Sequence, residues 1–276
     1  MKNLCKTALL TLLAWAAGLT LAGCGGGDSG NDNGSQPAVR FAAEGTWGGP
    51  DVNVSVSVTD IGWNGNTGHF WGDPTTGSNH LGLVVLTTGE IWGVYTSADV
   101  VIGGLHGQAQ TRGNGVAINN AQFFDLGLGG WRSVTYSGTV TPRVQLDIEG
   151  TDNTHFVSTY ATNYDQPASL TQLAGSYTGT GGTTRGNNPG TNYSITISDT
   201  GVVTLPPDAV GCSATGTATP HTDKNVFDLS LRFSGARCEL GNGTQLNGVA
   251  VVANDGHLLM MGGTPSVQDE FIYVSN

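Results

Sequence analysis

The sequence predicts an all-β protein, with two small antiparallel β-barrel or β-sandwich modules placed after a leader and a polar tether. Three observations carry that prediction. Glycine occupies 44 of 276 positions, about twice the usual share, while charged residues make up only 11%, under half the usual share. Apolar residues beyond residue 43 recur with a period of two, as on a strand with one buried face. No stretch after residue 24 carries a capped 3.6-residue period, which excludes a helical bundle.

The first element is the leader, residues 1–23. Lys2 and Lys6 lie in a short basic start, followed by an apolar run over 8–22 that is too short for an ordinary membrane span. It ends in Leu21-Ala22-Gly23-Cys24, which resembles the lipobox of bacterial lipoproteins. The resemblance implies cleavage between Gly23 and Cys24 and acylation of Cys24, whose thiol takes up the diacylglycerol. The attached chains would be of the palmitate kind, and two or more of them form a stable anchor. Gly25 follows the cysteine where Asp would favour inner-membrane retention, so in a Gram-negative source the resemblance points to the outer membrane.

Removing residues 1–23 takes away two lysines and shifts the formal net charge from −11 to −13, leaving Lys224 as the single lysine. Such a chain repels nucleic acid and anionic lipid, so the membrane contact is assigned to the acyl chains and no nucleic-acid partner is expected.

The tether covers 24–42. Its 25–38 stretch, GGGDSGNDNGSQPA, lacks large apolar side chains and spans about 20 Å r.m.s. as a Gly-rich coil. Gly27-Asp28-Ser29-Gly30 matches a serine-protease nucleophile motif, but only because Gly, Asp and Ser make up most of the segment.

The strands follow. Val52, Val54, Val56 and Val58 alternate with polar residues, and further runs cover 82–87, 91–96, 133–141, 144–148 and 155–160. Thr87-Thr88-Gly89-Glu90 reads as a turn between two of them. Later, 194–198 and 202–205 flank Asp199-Thr200-Gly201, and 248–253 and 257–261 flank Asn254-Asp255-Gly256. Asp-Gly suits a type I′ hairpin turn, which needs positive φ at both centres.

Gly45-Thr46-Trp47-Gly48-Gly49 and Gly175-Ser176-Tyr177-Thr178-Gly179 share a spacing that opens each half. The boundaries are 43–163 for a Trp-rich module, 164–172 for a link containing Pro167, and 173–276 for a second module. Each has room for seven or eight short strands, and one larger β domain is the alternative.

With Cys5 lost in the leader and Cys24 acylated, Cys212 and Cys238 remain, and an exported chain is expected to join them as a disulfide. Gly175-x-Tyr177-x-Gly179, Gly211-Cys212, Asn225-Val226-Phe227, Cys238 and Gly248 resemble a repeating module of uncharacterised proteobacterial lipoproteins, over residues 170–276. More loosely, the lipidated cysteine, stalk and paired β modules resemble surface lipoproteins of the transferrin-binding and factor-H-binding kind. That likeness implies eight-stranded barrels and protein ligands. The chain departs from it in its scarcity of lysine and its cysteine pair, and no ligand residue carries over.

Motifs for catalysis are lacking. The six histidines show no HExxH or other metal-ligand spacing, and there is no GxSxG, Walker or dinucleotide fingerprint, so no catalytic residue, metal or cofactor is assigned. Asp147 and Glu149, two apart on one strand face, support the alternative of a glycan-active hydrolase using a carboxylate pair.

Five tryptophans beyond the leader all lie in the first half. Trp47 and Trp92 are read as core, and Trp63 and Trp71 as exposed among turn residues. Trp63, Trp71, His69 and Asp73 form the candidate ligand-binding set, because a flat apolar face beside polar donors suits a glycan or protein ligand. The expected function is thus a non-enzymatic, membrane-anchored binding lipoprotein. A structural subunit of an envelope complex, with the Trp-rich half as its interface, is the third reading.

Overall fold

The computed structural model describes residues 41–50, 79–97, 100–126, 131–186, 190–254, 256–266 and 269–275. They form two closed eight-stranded antiparallel barrels, so of the two expected module types the barrel is the one formed.

The first barrel runs in chain order through β1 (Gly45–Pro50), β2 (Asn79–Val85), β3 (Glu90–Ser97) and β4 (Val100–Arg112). It continues through β5 (Gly115–Asp125), β6 (Trp131–Thr141), β7 (Gln145–Gly150) and β8 (His155–Tyr160). It closes by pairing β8 with β1, Trp47 opposite Tyr160. The second contains β9 (Gly175–Thr183), β10 (Thr191–Ile197), β11 (Val202–Leu205) and β12 (Ser213–Pro220). It is completed by β13 (Phe227–Ser234), β14 (Gln245–Val252), β15 (Leu258–Gly263) and β16 (Glu270–Ser275), and β16 closes on β9. Closure removes every free sheet edge, so neither barrel offers an unpaired strand to another chain.

Expected turns sit at the hairpin ends. Gly89 and Gly201 have φ of 83° and 80°, a left-handed conformation that glycine adopts without strain. The hairpin around 254–256 joins β14 to β15, with Val252 opposite Leu258. The alternating 52–58 run lies outside the described residues.

Each barrel is filled. Trp47, Tyr95, Phe123, Tyr136 and Phe156 pack inside the first, and Phe227, Phe233, Met260, Phe271 and Tyr273 inside the second. The strand β13 shows the expected one-sided burial, its residues alternating buried and outward-facing. The strands β15 and β16 are buried on both faces, and β3 is buried at every position after its first. The reason is a third apolar cluster on the outer faces, where the barrels meet. Val84, Trp92, Val94, Phe124 and Leu126 of the first pack with Val249, Leu259, Met261, Ile272 and Val274 of the second. Strands buried on two faces read as continuous apolar runs, as in Leu258-Leu259-Met260-Met261 and Phe271-Ile272-Tyr273-Val274. Close approach at this seam needs glycine: a Cβ on Gly182 would lie 2.6 Å from Leu126 Cδ1.

The stretch between the barrels is packed. A 3-10 turn (Thr162–Asp165) buries Tyr164 in the seam, and the one-turn helix α1 (Leu170–Leu173) places Leu173 in the second core. Asn163 and Asn225 both donate to the Val252 carbonyl, at 2.9 and 3.0 Å. Lys224, the single lysine after Lys6, is buried here against Glu44, its Nζ 2.9 Å from Oε1.

Candidate functional site

Two concave sites arise from this arrangement. The first is the mouth of the second barrel, a cavity of about 280 Å³ where β9, β11 and β13 end and β10 and β12 begin. Phe233 in its wall meets Phe271 of the core edge-to-face with ring centroids 5.9 Å apart, and Tyr193 stands edge-on to Phe271 at 5.3 Å. Leu205, Pro206, Val210 and Leu240 complete an apolar wall.

The rim is rigid for local reasons. Asp208 closes a turn by accepting amide N–H bonds from Val210 and Cys212, at 2.9 and 2.8 Å. Cys212 is joined to Cys238, Cα–Cα 4.8 Å, tying the β11–β12 loop to the β13–β14 loop. Arg237 and Glu239 flank Cys238 and both line the mouth. Glu239 accepts a 2.6 Å hydrogen bond from the Thr183 hydroxyl. Burial, reinforced by the negative charges of Glu239 and Asp208, pushes the Tyr193 phenol well above its ordinary value, so it is a neutral donor at physiological pH.

The second site is a groove of about 350 Å³ between the barrels. Leu86, Glu90 and Trp92 face Thr217, Asp228 and Asn247 across it. Trp92 stacks on His106 at 4.0 Å, and His106 Nε2 lies 3.2 Å from Glu90 Oε1. That hydrogen bond holds the Glu90 carboxyl below its usual value against the opposing effect of burial. Across the groove, His221 Nε2 lies 2.8 Å from Asp228 Oδ1. The walls differ in character: the mouth is mainly apolar with charges at its rim, whereas the groove mixes polar and apolar groups in nearly equal measure.

Of the residues singled out in the sequence, Gly23, Cys24, Ser29, Trp63, His69, Trp71 and Asp73 lie outside the described residues. Trp47 is fully buried in the first barrel, and Trp92 is buried in the seam with one edge in the groove. Cys212 and Cys238 form the expected disulfide. Asp147 and Glu149 sit on the outer face of β7, where Asp147 is engaged by His155 Nε2 at 2.7 Å, and neither lines the mouth or the groove. Among the described residues no three His, Cys, Asp or Glu side chains are grouped to hold a metal, and no helix is long and apolar enough to cross a membrane.

Sequence reasoning missed Tyr193, Asp208, Arg237 and Glu239. The available signal was the pair of charges flanking Cys238 and the Asp placed four residues before Cys212. No family model, curated protein or solved structure matches this chain.

Proposed function

We propose that the chain is a non-enzymatic binding lipoprotein of the cell envelope, anchored by acyl chains on Cys24 and holding a small ligand at the mouth of its second barrel. The observation that carries this reading is the mouth itself: a walled apolar cavity with a few polar groups on its rim, where a disulfide joins two of the rim loops. Small-molecule sites are generally of this kind, concave, mostly apolar and largely preformed. Display is the mechanism: the lipid anchors, the tether gives reach, and the rigid barrel keeps the rim loops in place.

Both parts are open to test. Cys24→Ser is expected to lose the lipid mass and leave the membrane fraction, and an unchanged membrane fraction overturns the anchor. For the mouth, Val210, half-exposed on the rim, is replaced by Trp to obstruct the entrance. Val210→Trp is expected to abolish the thermal stabilisation that small apolar compounds give the wild-type protein. Equal stabilisation of both proteins overturns the mouth as the site.

A further inference from the structure

We propose that the mouth of the second barrel binds a small zwitterion with an apolar body, of the class of free α-amino acids with large apolar side chains. The inference rests on the mouth being the ligand site and adds the chemistry of what enters it.

Glu239 and Asp208 line the mouth together with Tyr193, so two carboxylates form a negative pole beside that ring. Each carboxylate is held by one oxygen, Glu239 by Thr183 and Asp208 by two backbone amides, and a carboxylate has about four lone-pair sites in all. Acceptor capacity therefore remains for an ammonium group.

Arg237 also lines the mouth, yet among the described residues it makes no ion pair, although Glu239 is only two positions away. Arg237 and Glu239 flank Cys238 in the chain, and the bond from Cys238 to Cys212 fixes the backbone that carries them at the rim. The guanidinium keeps its fork of N–H donors for a carboxylate.

A purely cationic ligand would gain from Glu239 and Asp208 but meet Arg237. A purely anionic one would gain from Arg237 but meet two carboxylates. A zwitterion satisfies both poles, and the aromatic and aliphatic wall of Tyr193, Phe233, Leu205 and Leu240 receives its side chain. The volume of about 280 Å³ lies at the small end of ligand cavities, which favours one amino acid over a longer peptide.

The test is calorimetric titration of the purified full chain with four probes: L-phenylalanine, phenethylamine, 3-phenylpropionate and benzyl alcohol. L-phenylalanine is expected to bind at least about tenfold more tightly than each probe lacking one charge, the usual effect of a charge-assisted hydrogen bond. Arg237→Ala should reduce L-phenylalanine to the affinity of phenethylamine. Glu239→Gln, whose amide oxygen still accepts from Thr183, should weaken it toward that of 3-phenylpropionate, with Asp208 left as the remaining carboxylate. Equal binding of all four, or tightest binding of a singly charged or neutral probe, overturns the zwitterion while leaving the mouth as a ligand site. Binding of none overturns both.

Discussion

Lys224 offers the sharpest test of how the two barrels are held together. Its ammonium lies 2.9 Å from Glu44 Oε1, 3.5 Å from the Thr87 hydroxyl and 3.7 Å from Asp223, and the Lys224 and Glu44 side chains are only 5% and 4% exposed. The Tyr164 hydroxyl donates to the same Glu44 oxygen at 3.2 Å. Lys224→Met keeps the length of the stem but strands the carboxylate in the seam with Tyr164 as its remaining side-chain donor. Removing one partner of a buried pair costs about 3–5 kcal/mol, because the other charge is left desolvated. In a folded unit of this size each kcal/mol moves Tm by about 2–4 °C, so a fall on the order of 10 °C is expected.

Urea unfolding followed by tryptophan fluorescence measures the loss directly. Arg143→Ala serves as the exposed control, since Arg143 and Asp165 form a 3.2 Å pair at 53% and 27% exposure, and should cost under about 1 kcal/mol. Lys224→Met combined with Glu44→Gln should recover much of the loss, because the stranded charge is gone. A loss from Lys224→Met no larger than that of the control would refute the reasoning.

Glu270 gives a pH-dependent prediction. It starts β16 on the side that faces the seam, and burial holds its carboxyl well above the ordinary value. The folded chain therefore keeps this proton to higher pH than the unfolded chain does, and stability falls as pH rises from the unfolded value through the folded one. Glu270→Gln should match wild type at pH 4 and exceed it at pH 8, by about 1.4 kcal/mol per unit of separation between the two values; parallel urea midpoints across that range would count against it. Cys212→Ser with Cys238→Ser should lower stability by about 3.5 kcal/mol, the chain-entropy value for a 26-residue separation, and an unchanged urea midpoint would contradict it. Gly182→Val should cost about 1–3 kcal/mol or more by driving a side chain into Leu126, seen as a lower Tm, whereas an unchanged Tm would mean the seam is not closely packed there.

Much of the strand order was legible because it is local. The stretches 91–96, 155–160 and 202–205 alternate or are bounded by glycine turns, and β3, β8 and β11 occupy or enclose them. The long strands β4 and β5, of 13 and 11 residues, were not singled out. Gly103-Gly104 interrupts β4, and Phe123-Phe124 in β5 sends one ring into the barrel and the other into the seam, so neither strand shows a clean polar face.

The candidate site was less legible. Sequence reasoning turned to exposed tryptophans, whereas the mouth is built from Tyr193, Asp208, Arg237 and Glu239, which converge only when the ends of five strands are brought together. Composition, periodicity and turn residues by themselves determined an antiparallel β chain in two halves with a cysteine pair, because each is a property of neighbouring residues. Closure into barrels, the buried Lys224–Glu44 pair, the seam and the charged mouth were decided only by the tertiary structure, because they depend on contacts between residues as far apart as 180 positions.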